Sequence, residues 1–174
     1  MSDDPDCCSS NNLKKHLVCR SKHCWGKLLK KLIDKIDSAE KSISIAMYNM
    51  YNDQLINNIV KARLRGVNVK LIMDKSNILD IEDGRKLNAA RNLQTAGVNV
   101  KVAGDERKLM HNKFCLIDPM SPNSVLINGS LNWSTGGIKN NYENVMFLTD
   151  QHLIKQYKQA FEYMWEKDTS PFIG

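Results

Sequence analysis

Apolar positions along this chain switch between two periods. Trp25, Leu28, Leu29, Leu32, Ile33 and Ile36 recur at helical spacing and predict a first helix over 25–37, followed by a strand over 42–48. Asn52 then reads as an N-cap, with Leu55, Ile56, Ile59, Val60 and Leu64 forming the apolar stripe of a second helix that Gly66 ends. A buried strand over 67–74, a helix over 84–96 closed by Gly97, and a strand over 98–103 repeat the arrangement. Gly-Val-Asn-Val-Lys occurs at both 66–70 and 97–101, which we read as a recurring exit from helix to strand rather than a duplication. Stretches 110–118 and 124–128 read as adjacent strands joined through a turn between Pro119 and Pro122, in a hairpin, and 144–149 as a last strand. Over 151–167, Leu153, Ile154, Tyr157, Phe161, Met164 and Trp165 mark a closing amphipathic helix whose aromatics belong to the core.

Strand, helix, strand, helix, strand predicts an α/β fold: a mixed, largely parallel β-sheet with right-handed crossovers, flanked by helices on both faces. With 174 residues, 42% of them hydrophobic and 25% charged, the chain has the size of one domain with a proper core. The formal charge of +6 favours polyanions, nucleic acid or anionic lipid headgroups. No apolar run approaches the roughly 18 residues of a membrane span, and no signal peptide is apparent, so the sequence predicts a soluble, unsecreted chain. Four of five cysteines, Cys7, Cys8, Cys19 and Cys24, fall in the first 24 residues together with His16 and His23. This divides the chain into a cysteine-rich segment, 1–24, and a catalytic domain, 25–174. Cys115, among Phe114, Leu116 and Ile117, reads as a buried thiol.

The chemistry lies in the second half. His111 and Lys113 are two apart in a predicted strand, so both side chains leave the same face while Asn112 leaves the other. An imidazole beside an ammonium suits phosphoryl transfer: the ring attacks or moves a proton, and the cation neutralises phosphate oxygens. Asp118 closes the block, either supporting the site or forming a turn before Pro119. Downstream stand Gly129-Ser130-Leu131-Asn132-Trp133-Ser134 and Asn141-Tyr142-Glu143-Asn144-Val145.

This ordered set resembles the phospholipase D superfamily. Within it, the single motif copy and the two later blocks are most similar to the Zucchini/mitochondrial cardiolipin hydrolase group and its bacterial relative, the endonuclease Nuc. The resemblance implies a phospholipase D-like fold. It also implies His111 as nucleophile or acid/base, Lys113 and Asn132 as phosphate ligands assisted by Ser130, and Glu143 on the second imidazole nitrogen, fixing its tautomer. In-line displacement at phosphorus needs groups on both sides, and one imidazole cannot supply both. His16, His23 and His152 sit in no matching context, so the second ring is expected from another copy: an obligate homodimer with the two-fold axis through the active site. With charge neutralised by two Lys113 and the imidazoles, the reaction requires no metal cofactor.

Cys19-x3-His23 has the short spacing of zinc ligands. The resemblance implies a structural zinc finger of three cysteines and one histidine before the first helix, although the family's Cys-x-Cys is absent. Cys24 follows His23 instead, and Cys7 or Cys8 must furnish the distant ligand, giving Cys8, Cys19, His23 and Cys24 as the expected set. The alternative is free thiols in a reducing compartment. Seven basic residues and no acidic one between Leu13 and Ile33 suit a phosphate backbone or, equally, a solvated helix face.

The leading functional expectation is a metal-independent endonuclease for single-stranded RNA or DNA, by resemblance one that generates piRNA intermediates. The first alternative is a phospholipase that hydrolyses cardiolipin, an anionic phospholipid, to phosphatidic acid. The second is a non-catalytic zinc-finger module that binds RNA. The resemblance places such proteins on the cytosolic face of the mitochondrial outer membrane through an apolar helix; either an anchor lies outside this sequence or the protein is cytoplasmic.

Overall fold

The computed structural model describes residues 19, 21, 24–78, 84–105 and 107–173, with the side chains of 84–86 outside that set. Helix α1 (Trp25–Asp37) buries Leu29, Leu32, Ile33 and Ile36, and its last carbonyls are held by the Arg65 guanidinium, 3.3 Å from Ile36 O and 3.1 Å from Asp37 O. Strand β1 (Ser42–Met47) leads to α2 (Asp53–Leu64), which starts where the Asn52 side chain accepts the Leu55 N–H at 3.2 Å. Then come β2 (Asn68–Asp74), the short α3 (Lys75–Ile78), α4 (Gly84–Thr95) and β3 (Asn99–Ala103). Next are β4 (Lys113–Ile117), β5 (Val125–Gly129), the short α5 (Thr135–Asn140), β6 (Val145–Leu148) and α6 (Gln151–Tyr163). A π-helical turn (Met164–Asp168) delivers the chain to β7 (Thr169–Pro171).

The described strands form one sheet in the order β6-β5-β4-β1-β2-β3-β7. Its parallel part is confined to β1, β2 and β3, joined by helical crossovers, whereas β4, β5, β6 and β7 pair antiparallel with their neighbours. The sheet is therefore mixed, as expected, with more antiparallel pairings than parallel ones. Short turns connect β4 to β5, and a turn cannot make the long crossover that a parallel neighbour demands.

Strand alternation sorts two cores. Ile43, Ile45, Met47, Leu71, Cys115 and Ile127 face α1, α2 and α4, while Ala46, Ile72, Phe114, Leu116 and Leu126 face α6. There the Phe114 ring meets Tyr157 edge-on at 5.1 Å and Phe161 stacks on Trp165 at 5.8 Å, so these aromatics are core residues. Complete burial pushes the Cys115 thiol up, far from its ordinary range, which leaves it an inert thiol.

The sequence predicts a closing helix to 167, but the α-helix stops at Tyr163. The wider turn that follows brings Trp165 O to Lys101 Nζ and to Thr169 Oγ1, both at 2.8 Å, and sends 169–171 along β3. Three residues ending in proline carry no alternation to read, and proline is tolerated there because β7 is an edge strand.

Candidate active site

The antiparallel pairings decide what meets. Because β4 runs against β1, its first residue lies at the carboxyl end of the parallel strands. Because β5 runs against β4 and β6 against β5, the end of β5 and the start of β6 lie there too. His111, Lys113, Ser130, Asn132 and Glu143 therefore converge on one edge, the usual ligand-binding edge of an open α/β sheet.

Strand β4 begins at Lys113, yet the pairing continues beyond it, since the Tyr48 N–H donates to Asn112 O at 2.9 Å. The i, i+2 geometry holds. Lys113 Nζ lies 3.3 Å from both His111 ring nitrogens and 3.0 Å from His111 O, while the Asn112 amide lies 3.6 Å from Met164 Sδ on the opposite side. In a neutral ring only one nitrogen is an acceptor, so the ammonium donates to one ring nitrogen at a time, and the tautomer decides which. The Tyr48 ring backs both groups, its centroid 4.5 Å from the imidazole centroid and 5.1 Å from Lys113 Nζ.

In the block 129–134, buried residues fix exposed ones. At Gly129 a Cβ would lie 2.1 Å from Asn144 O, so only glycine lets β5 and β6 approach this closely. Trp133 is buried, and its carbonyl accepts the N–H groups of Tyr51 at 3.1 Å and Asn52 at 3.0 Å, tying the block to the exit of β1. Ser134 caps α5 through the Gly137 N–H at 3.0 Å. Between these anchors, Asn132 is half-buried at the edge.

Among the described residues, Asn132 and Asn49 have buried side-chain oxygens with no partner. Such orphan acceptors suit an incoming hydroxyl or water, because an unmet buried polar atom otherwise costs about 1–3 kcal/mol. Nothing in the sequence marked Asn49.

Glu143 was expected on the imidazole. In this chain its carboxylate instead accepts Ser130 Oγ–H and, at 3.1 Å, the Asn141 amide. Ser130 also accepts the Asn144 N–H at 3.1 Å, so the serine serves as a holder of the acid. Glu143 still acts on Lys113. Burial pushes the Lys113 ammonium below its ordinary value of 10.5, and the Glu143 carboxylate opposes that fall. Lysine neutralises phosphate only when protonated, so Glu143→Gln should move the alkaline limb of the pH–rate profile to lower pH than in the wild type. A limb that stays in place or moves up refutes this coupling.

Asp118 is not part of this edge. It ends β4 at the other side of the sheet, roughly 20 Å from His111 at a strand rise of about 3.3 Å per residue. There its buried carboxylate accepts the N–H groups of Glu40, Lys41 and Ser42 at 2.9, 2.8 and 2.7 Å. Its alternative reading, a turn residue before Pro119, is the one the structure supports, and at φ 46° aspartate is among the better tolerated residues. His152, at the start of α6, lies at that far side as well.

Of the expected zinc ligands, Cys8 and His23 lie outside the described residues. Cys19 and Cys24 pack together in a small buried cluster, but Cys19 is disulfide-bonded, and a disulfide sulfur is not a thiolate ligand. The described residues contain no group of three or more His, Cys, Asp or Glu that could hold a metal ion. They do not by themselves fit zinc.

A groove of about 670 Å³ runs beside Glu143, between α1 and α5, lined in part by Trp25, Lys27, Lys31, Lys139 and Tyr142. Lys139 Nζ sits 4.5 Å over the Trp25 ring, and Tyr142 is fully exposed.

A mixed sheet that gathers His-x-Lys, Ser-x-Asn and Glu at one edge defines a phospholipase D-like domain. The family described as "Cardiolipin synthase, PLD-like domain" matches residues 32–165. The mitochondrial cardiolipin hydrolase of Drosophila melanogaster is 31% identical over 84% of this chain and 62% of its own length; that of Homo sapiens is 31% identical over 80% and 51%. The chain thus spans between half and two thirds of these relatives. Among solved structures, NucT from Helicobacter pylori superposes with a TM-score of 0.74 at 24% identity, over 85% of this chain and 92% of that one. Nuc from Salmonella typhimurium, a phospholipase D family member, gives 0.73 at 20% identity, over 86% and 91%. The chain belongs to the phospholipase D superfamily, among its single-motif members.

Proposed function

We propose that this protein is a metal-independent phosphodiesterase, an endonuclease that cleaves single-stranded RNA or DNA in a homodimeric active site, with a place in piRNA production. The observation that carries the phosphodiesterase reading is the His111–Lys113 pair at the carboxyl edge of the sheet. The neutral His111 ring of one copy attacks phosphorus, forming an N–P bond as the P–O bond to the 3′ oxygen breaks. The protonated His111 ring of the second copy gives its proton to that oxygen. Water then attacks the phosphohistidine and yields its proton to the second ring, which restores both imidazoles and leaves 5′-phosphate and 3′-hydroxyl ends. The Lys113 ammonium and the side-chain N–H of Asn132 of each copy donate to the non-bridging oxygens.

The groove supports nucleic acid as substrate. Its lysines suit a phosphate backbone, and the exposed Tyr142 ring offers a stacking surface that accepts any base. The second reading, hydrolysis of cardiolipin to phosphatidic acid, is favoured by the relatives' name, mitochondrial cardiolipin hydrolase. That name also supports mitochondrial association; no described helix is long and apolar enough to cross a membrane.

The test incubates the purified protein with labelled single-stranded RNA and, separately, with cardiolipin vesicles, each with and without EDTA. RNA cleavage to 5′-phosphate ends that survives EDTA is the expected result. Cleavage abolished by EDTA overturns the metal-independent reading, and cardiolipin turnover with intact RNA replaces the endonuclease with the lipase.

A further inference from the structure

Asp74 ends β2 fully buried, and the chemistry above makes no use of it. One carboxylate oxygen serves the next element, since Oδ1 accepts the Asn77 N–H at 2.9 Å and so starts α3. The other is not needed for that helix. Oδ2 accepts the N–H of Met110, the residue before His111, at 2.8 Å. Gly104 makes room for this bond: at φ 87°, a Cβ there would stand 2.9 Å from Asp74 Oδ2 and 3.0 Å from Met110 N.

The Asn77 side chain continues the path. Its amide donates to Tyr48 O at 2.6 Å, and the Tyr48 N–H donates to the carbonyl of Asn112, the residue after His111, at 2.9 Å. The bonds form a closed circuit running Asp74, Met110, His111, Asn112, Tyr48, Asn77 and back to Asp74. His111 is the link that gives the circuit no backbone bond of its own, yet both its neighbours are gripped and its ring rests on Tyr48.

We propose that Asp74, acting through Met110, and Asn77, acting through Tyr48, are positioning residues that hold the His111 imidazole in its attacking orientation, an inference that rests on the phosphodiesterase reading of the site. A buried carboxylate clamped by N–H donors is stiff, and His111 itself is exposed. Without the circuit, an exposed imidazole at the head of a strand samples several rotamers, of which one faces phosphorus. An error of about 1 Å in such a placement costs up to about a hundredfold in rate.

Asn77→Ala is the discriminating variant, because it keeps the residue 77 N–H that caps α3 and deletes only the link to Tyr48. Asp74→Ser keeps a capping oxygen and loses the reach to Met110. In both, kcat on labelled single-stranded RNA should fall about ten- to a hundredfold, with KM within about twofold, since no phosphate ligand is removed. Tyr48→Leu should lose kcat similarly, and Tyr48→Phe, which keeps the ring, should restore it.

The second readout needs no turnover. In NMR spectra of the folded proteins, the His111 Cε1–H signal, displaced in the wild type by the ring current of Tyr48, should move to the position of an exposed histidine in Asn77→Ala and Asp74→Ser. A folded Asn77→Ala protein whose His111 signal stays in place, or whose kcat is unchanged, overturns the proposal. If the wild type itself does not cleave RNA, the functional reading fails, and the NMR signal alone decides whether Asp74 and Asn77 position this ring.

Discussion

His111→Ala should abolish turnover, with a loss of about 10⁵-fold or more. A general acid or base contributes about 10²–10⁴ on its own, but in a shared site one substitution removes the nucleophile from one side of phosphorus and the acid from the other. Effects in such a unit do not partition between its members. The fold should be untouched, since the His111 side chain is exposed and sits outside both cores. Mixing provides the sharper measurement. If the dimer is obligate and its subunits exchange at random, equal amounts of wild-type and His111→Ala chains leave about one quarter of the activity, because only the wild-type pairs hold two rings. Activity that remains at about one half after the two chains have been unfolded together and refolded, so that any dimers form at random, means that each chain works alone. The homodimer would then be discarded, and the second catalytic group would have to come from another residue of the same chain.

Asp118→Ala should have the largest effect on stability, with a loss of about 3–5 kcal/mol, since it deletes three hydrogen bonds to a charged acceptor, each worth about 1.5–3 kcal/mol before water reaches the freed N–H groups. Three N–H groups at the entry to β1 would lose their acceptor together, and alanine fits poorly at φ 46°. Asp118→Asn should cost less. It keeps one oxygen for Lys41 and Ser42 and places an NH2 against Glu40 N, which wants an acceptor. Chemical denaturation measures the difference. Residual folded Asp118→Asn should retain wild-type kcat, since the carboxylate lies at the far side of the sheet. A stable Asp118→Asn protein with greatly reduced kcat would return Asp118 to the catalytic set.

Local chemistry made most elements readable. Helix α1 has the predicted bounds because its apolar stripe begins at Trp25 and the chain turns polar after Ile36. Asn52 caps α2 through the very oxygen that its residue type supplies. The elements that went unread, α3, α5, the π-helical turn and β7, are each six residues or shorter, too short to show a period. They exist because neighbours hold them: Asp74 starts α3, Ser134 caps α5 and β3 recruits β7.

The site divides the same way. His111, Lys113, Asn132 and Glu143 were visible because their types and order carry the chemistry. For Asp118 the sequence left two readings, site support or a turn, since sequence adjacency to a motif says nothing about which end of a strand a residue occupies; its bonds to Glu40, Lys41 and Ser42 place it away from the set. Glu143 was placed on the imidazole, whereas Ser130 and Asn141 hold it in this chain. Tyr48, Asn49, Asp74 and Asn77 went unseen because each is ordinary within its own segment. Their meaning comes from β1 lying between β2 and β4.

The sequence alone determined the helices and strands long enough to show a period, the two-sided core and the meeting of His111 with Lys113, since periodicity and the i, i+2 rule act within a few residues. Only the tertiary structure decided which strands run antiparallel, and with that which loops share the reactive edge. Strand direction is set by pairing across the sheet, and contacts between residues tens of positions apart leave no periodic trace in the chain.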